Sequence, residues 1–397
     1  MASVRTRPLV VLVAALMLAA CTKTPTLQQP NQVAQTSPAP PPAPPATVAL
    51  TPDKGAAGVP ASTEIGVKVT DGTVESVTLT DDAGNALTGF FREDKSHWVP
   101  DQALKYSTHY TATVTAASAD GKKTTQTTDF TTMAKPGKRL GTGLYLFADK
   151  TYGVAMPVVV EFESSVPESA RATIQSRLFV KTTPHQPGAW SWTGSKQVMY
   201  RAKEYWQPGT KIEVRVALEG HPIGDGRHGD MDRRGVGNIS KDRIELIVEN
   251  ETKHMTVKKN GETIKSIPVS LGRDSMPSSS GTTVIMDKLA HTVFDTMDDP
   301  NPNNRYRVDI DYAQRLTWGG EFIHAAPWSV KDQGVRNVSH GCINVSMENA
   351  RFLFELTRIG DPVTVRGTGR PLAPGNGFTA WDKDWDDWVK GSALPVA

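Results

Sequence analysis

Short apolar runs of period two, broken by turn residues, dominate this chain from about residue 48 onward. Between Val48 and Thr132 the runs 64–69, 74–79 and 110–114 are separated by signals such as Asp82-Ala83-Gly84-Asn85, and no long apolar period of 3.6 appears. Strands at that regular spacing predict a small β-sandwich. A second stretch, from Arg139 to Gly237, repeats the pattern at an offset of 102 residues: Trp98 matches Tyr200, Thr108 matches Thr210, and Tyr110-Ala112-Val114 matches Ile212-Val214-Val216. Agreement in phase across the repeat predicts two tandem sandwich modules. Trp190, Trp192 and Trp206 of the second are expected in its core, where large aromatics usually sit, rather than on a carbohydrate platform.

From about Ile239 the runs lengthen to 244–248 and 255–258, followed by an Asn260-Gly261 hairpin signal and the run 264–269. Glu321-Phe322-Ile323 alternates into His324, and a loop occupies 325–338. Ser346 stands where it can cap a helix whose core face is Ala350, Leu353, Phe354 and Thr357. Gly360 and Pro362 end that helix, and residues 361–366 offer a last strand. The expected fold is mainly β: modules at 49–136 and 137–240, a mostly β domain with one main helix at 241–367, and a closing segment at 368–397. Trp381, Trp385 and Trp388 of that segment share helix-like spacing. The aspartates among them, Asp382, Asp384, Asp386 and Asp387, would be repelled by an anionic membrane, so the segment is expected to pack back on the second sandwich or the third domain.

The first 48 residues have a different texture. Arg5 and Arg7 precede an apolar run from Leu9 to Leu18 that is short for a bilayer span, so residues 1–20 read as an export signal. Leu18-Ala19-Ala20-Cys21 resembles the lipobox of bacterial lipoproteins, which implies Cys21 as the lipidation site, a membrane contact through an N-terminal lipid anchor and an extracytoplasmic location facing the wall or periplasm. An ordinary cleaved signal with an incidental cysteine is the plainer alternative. Residues 21–48 are rich in Pro, Thr, Gln and Ala and are expected to form an extended tether, reaching on the order of 80 Å at about 3.1 Å per residue. With 44 basic and 42 acidic residues the chain is nearly neutral, which argues against nucleic acid as a partner.

Candidate chemistry concentrates at Cys342, since the only other cysteine is Cys21 and no disulfide framework is available to claim it. A thiol is mostly protonated at neutral pH, so a nucleophilic one needs an imidazole to take its proton or pair with the thiolate. His340, two positions away, is awkwardly placed for in-line contact but can line the site; His324, at a strand end, can be brought beside the sulfur by folding. The Gly341 and Cys342 amides are the obvious donors to a tetrahedral oxyanion. Elsewhere, His221, Asp225, His228, Asp230 and Asp232 cluster among glycines with a spacing that fits neither a calcium loop nor a zinc helix. A solvated hairpin or linker loop is expected there, with no metal and no cofactor.

His324 followed by Ser339-His340-Gly341-Cys342-Ile343-Asn344 resembles the signature of YkuD-type L,D-transpeptidases, in the branch that carries Ig-like modules before a mostly β catalytic domain and a Trp-containing segment after it. The resemblance implies Cys342 as nucleophile and His324 as general base, with Ser339, His340, Gly341 and Asn344 around them. By position it also implies Tyr306 as a residue reaching the oxyanion and Trp328 as part of a substrate loop. Ala325 stands where this branch often has serine; if the position orients the histidine through its carbonyl, alanine serves equally. The stretch 278–283 departs from the family's Thr-Pro-x-Gly turn. Peptidoglycan stem peptides are the implied substrates, and carbapenem-type β-lactams the implied covalent inhibitors. Three alternatives stay open: an L,D-carboxypeptidase that hydrolyses the same bond, a non-catalytic wall-binding lipoprotein, and a zinc site from His324, His340 and Cys342 that lacks an evident fourth ligand. A papain-like protease fits poorly, because its cysteine precedes its histidine in the chain.

Overall fold

Along the strand His109–Ala117 the side chains of Tyr110, Ala112, Val114 and Ala116 are buried while the intervening residues, mostly threonines, face outward, as the two-residue repeat of a pleated strand requires. The computed structural model that shows this describes residues 43–148, 150–298, 300–302 and 305–396. The export signal, Cys21 and most of the Pro-rich stretch lie outside the described residues. That strand belongs to a five-stranded sheet in the order Ala56–Val59, Lys123–Thr132, His109–Ala117, Thr73–Asp81, Ala86–Leu87. A four-stranded sheet joins Thr47–Thr51, Ile65–Thr70, His97–Pro100 and Gly89–Phe91, and Trp98, Tyr110 and Phe130 fill the core.

The second sandwich repeats the order of the main strands but has no counterpart of Ala86–Leu87. One sheet runs Thr142–Leu144, Val158–Phe162, Gln197–Ala202, Gly188–Trp192; the other runs Thr151–Tyr152, Arg233–Ile239, Lys211–Val216, Leu178–Thr183. In each module a short early strand pairs parallel with the last long one. Residues matched at the 102-residue offset therefore occupy equivalent strands, with Ile212, Val214 and Val216 as buried as Tyr110, Ala112 and Val114. Trp190, Trp192 and Trp206 are buried in this core. Helix α1, Glu168–Gln175, is an addition that sequence reading did not anticipate; it buries Ala170 and Ile174.

The 221–232 stretch corrects one expectation. It is a hairpin, Pro222–Gly224 with Arg227–Gly229, but it is only partly solvated. His221 is buried with Nδ1 3.2 Å from Ser62 Oγ of the first module, Asp230 pairs with Arg233 at 2.7 Å, and Asp232 pairs with Arg215 at 2.7 Å. Its acidic residues thus neutralise arginines near the junction of the modules, where Glu64 also binds Arg92 and Arg177 at 2.6 and 2.7 Å.

The third domain holds a five-stranded sheet, Glu262–Pro268, His254–Lys259, Ile244–Glu249, Pro362–Arg366, Gly281–Val284, and a four-stranded sheet, Asp287–Asp295, Arg307–Arg315, Phe322–Ala325, Ile343–Val345. Helix α2, Met347–Leu356, packs on the Arg307–Arg315 and Phe322–Ala325 strands and contributes Ala350 and Leu353 to the domain core. Ser346 caps it, accepting the Asn349 amide at 3.2 Å; Thr357 lies just past its end. The closing segment docks on the second sandwich. Helix α3, Trp385–Val389, buries Trp388, whose Nε1 donates to Ala189 O at 3.0 Å, while Trp381 Nε1 donates to Ala155 O at 2.6 Å. The Arg201 guanidinium lies 4.5, 5.4 and 5.0 Å from the rings of Trp381, Trp385 and Trp388. Asp382 also reaches the third domain, accepting the Thr282 amide at 2.9 Å.

Candidate active site

The strands Phe322–Ala325 and Ile343–Val345 pair in parallel with His324 opposite Asn344, and Cys342 immediately precedes the second of them. This register brings the histidine and the cysteine, eighteen positions apart in sequence, to one cavity of about 410 Å³ that Tyr306, Trp328, Ser339, His340 and Asn344 also line. Gly341 has φ +123°, a conformation that favours glycine and lets the chain turn sharply into the cysteine.

His324 is 4% exposed, and its Nδ1 lies 2.8 Å from the Ala325 carbonyl. A carbonyl only accepts, so Nδ1 carries the proton and Nε2 is left as the basic nitrogen. Ala325 thus contributes its carbonyl, which any residue supplies. Burial holds the imidazole pKa down to about 4, the Ala325 hydrogen bond opposing. Burial also pushes the Cys342 thiol up to about 12, against the Phe322 backbone amide and reinforced by the Glu321 carboxylate. The S–H donates to Gly320 O at 3.6 Å. Both groups are therefore neutral near pH 7, and the arrangement suits proton transfer from sulfur to nitrogen during attack rather than a standing ion pair.

His340 does other work. Its Nε2 lies 2.7 Å from Arg273 Nη1, its ring is 5.0 Å from that of Tyr306, and burial followed by the Arg273 charge lowers its pKa. The Tyr306 hydroxyl, its pKa raised by burial and then by the Cys342 sulfur, stays a phenol able to donate. Asn344 Nδ2 donates to Ser329 Oγ at 3.2 Å, while its buried Oδ1 has no partner among the described residues. Trp328 is 53% exposed, with its ring 6.1 Å from that of His324. The Gly341 amide donates to Ser339 Oγ at 3.1 Å, and the same hydroxyl donates to Cys342 O at 2.7 Å. In this structure the Gly341 amide and the Ser339 hydroxyl close the turn on itself. Among the described residues no group of three or more His, Cys, Asp or Glu side chains is placed to share a metal ion.

Residues 243–365 match the L,D-transpeptidase catalytic domain family (YkuD), and residues 56–222 match a bacterial Ig domain family (Big_10). L,D-transpeptidase 2 of Mycobacterium tuberculosis (strain CDC 1551 / Oshkosh) is 33% identical over 347 residues, covering 85% of this chain and 83% of the relative. The chain belongs to the L,D-transpeptidase family. L,D-transpeptidase 5 of Mycobacterium tuberculosis (strain ATCC 25618 / H37Rv) is 34% identical over 365 residues, 90% of this chain and 78% of the relative. A solved LD transpeptidase in complex with imipenem is 30% identical, with a TM-score of 0.48 over 58% of this chain and 100% of that one.

This L,D-transpeptidase has further site residues that motif reading passed over. Ser278 Oγ donates to Gly341 O at 2.7 Å and accepts the Gly272 amide at 3.0 Å, and Ser279 binds Glu321 through both its amide and its hydroxyl. Ser329 orients Asn344, and Phe294 packs its ring 5.4 Å from that of His324. The departure of residues 278–283 from the family's turn pattern was expected to bear on turn geometry and hardly on the chemistry; the structure instead sets Ser278 and Ser279 against Gly341 and Glu321.

Proposed function

We propose that this L,D-transpeptidase forms third-to-third cross-links in peptidoglycan through a thioester on Cys342. In the first half-reaction the Cys342 sulfur attacks the carbonyl preceding the terminal D-alanine of a tetrapeptide stem, and His324 Nε2 takes the thiol proton. The S–C bond forms, the C–N bond breaks, and the proton passes to the departing D-alanine amine. In the second half-reaction the side-chain amine of a third-position diamino acid on another stem attacks the thioester; the new C–N bond forms, and the sulfur leaves and is reprotonated. The Cys342 amide and the Tyr306 hydroxyl are the proposed donors to the tetrahedral oxyanion, with His340 and Arg273 holding Tyr306 in place. Asn344 and Trp328 are proposed to bind the stem.

The observation that carries this reading is the shared cavity of Cys342 and a buried, singly protonated His324 whose Nδ1 is held by the Ala325 carbonyl. Mass spectrometry of the protein with a synthetic tetrapeptide donor tests it. The expected result is a Cys342 thioester, free D-alanine, and dimers when an acceptor stem is added. Free tripeptide without dimers would point instead to an L,D-carboxypeptidase, and D-alanine release by Cys342→Ala would remove the nucleophile assignment. Carbapenem-type β-lactams are proposed to acylate the same sulfur, on the strength of the family membership. For the N-terminus we propose export and lipidation at Cys21, with the enzyme tethered outside the cytoplasm facing the wall or periplasm. The sequence at residues 18–21 supports this, and palmitate labelling that persists in Cys21→Ala would count against it.

A further inference from the structure

Beside the turn at residues 339–342 lies a glutamate with no part in the chemistry above. Glu321 follows Gly320, whose carbonyl accepts the Cys342 S–H, and its stem lies against Gly341, where an added Cβ would meet Glu321 Cγ at 3.6 Å. Only 8% of the residue is exposed. Its carboxylate accepts the Ser279 amide at 3.1 Å and the Ser279 hydroxyl at 2.8 Å, and stands 3.4 Å from Arg370 Nη1. Arg370 donates in turn to Pro277 O at 2.9 Å, and Ser278 donates to Gly341 O. One carboxylate thus joins the hairpin before His324, the serine run and the segment after the last strand. A buried charge is expensive to desolvate, so its partners and its neighbour, the nucleophile turn, call for a physical reason.

We propose that Glu321 is a positioning residue for the nucleophile: clamped by Ser279 and Arg370, its carboxylate fixes the 339–342 turn and sets the electrostatic field at the Cys342 sulfur. The proposal deepens the reading of Cys342 as nucleophile and rests on it. The negative charge favours the thiol over the thiolate, and Arg370 offsets part of that effect. A sulfur kept as thiol in the empty site resists adventitious oxidation and alkylation, since both need the thiolate. His324 then takes the proton when a stem is in place. The other titratable or charged groups facing the sulfur are His324, Tyr306, His340 with its Arg273, and Asp332, which is paired with Arg336 at 2.6 Å.

The test is the pH profile of Cys342 alkylation by iodoacetamide in the full-length protein, read by peptide mass spectrometry so that Cys21 is scored separately. Glu321→Gln keeps the shape and an acceptor for Ser279 but removes the charge; it should shift the profile to lower pH and speed the reaction about two- to fivefold at pH 8. Arg370→Met, at a half-exposed position, leaves the carboxylate uncompensated and should shift the profile the other way, slowing the reaction by a similar factor. Loosening of the turn alone would move both variants in the same direction. Shifts of the same sign, or profiles that coincide with the parent protein, overturn the proposal. Neither outcome depends on transfer activity, so failure here is distinguishable from D-alanine release by Cys342→Ala, which would sink the nucleophile reading itself.

Discussion

Burial acts on Cys342 and His324 with opposite effects on proton affinity: the thiol is pushed up to about 12 and the imidazole is held near 4. The His324 imidazole is therefore unprotonated across the neutral range. Acylation by a tetrapeptide donor should stay level from pH 8 to 5 and fall as the pH approaches 4, which a stopped-flow pH series would show. His324→Gln should reduce the acylation rate by about 10²- to 10⁴-fold with little change in melting temperature. Tyr306→Phe should cost about a hundredfold in rate if its hydroxyl serves the oxyanion, measured under the same conditions. At this scale the motif residues were legible because they are consecutive and chemically unusual. Glu321, Ser279 and Arg370 were not, because their types are ordinary and they meet only across 42 to 49 positions of chain.

Elements show which local signals suffice. Ser346 accepting the Asn349 amide is a local event, so the start of α2 could be read directly, and Ser346→Ala should lower unfolding free energy by about 1 kcal/mol in denaturant titration. Leu353, fully buried on the same helix, should cost about 2–5 kcal/mol as Leu353→Ala. Strands such as His109–Ala117 were legible from alternation because one face is buried, whereas Val158–Phe162 is buried on both faces and shows no alternation. Helix α1 was not: eight residues with β-branched Thr173 and Ile174 carry little helical preference, and it is held by the burial of Ala170 and Ile174. The parallel pairing of the histidine and cysteine strands has no signature of its own in either strand.

For the whole molecule, the closing segment acts as part of the second sandwich. Deletion after Gly377 would remove Trp381, Trp385 and Trp388 from Arg201 and the core, and should lower the melting temperature by several degrees or more in a thermal scan. Stability should also depend on pH. His221 and His324 are both held near 4 by burial against an ordinary value of 6.5, so the unfolded chain binds two more protons between those limits, and stability is lost as pH falls through that window. Asp361, raised from 3.8 to about 7 by burial, binds one more proton in the folded state over the same range and offsets one of the two. Asp361→Asn removes the opposing group and should steepen the fall of melting temperature as pH drops from 6.5 to 4.5.

By itself the sequence determined the mainly β character, the repeated sandwich pattern, the capped helix and the cysteine motif with its candidate histidine. Those follow from side-chain periodicity, capping chemistry and a short contiguous motif, all local in the chain. Only the tertiary structure decided which imidazole nitrogen is free, that the Gly341 amide is tied within its own turn, that the Glu321 stem lies beside Gly341, and that three tryptophans close over Arg201. Each depends on burial and on contacts between segments far apart in sequence, and neither property is encoded at any single position.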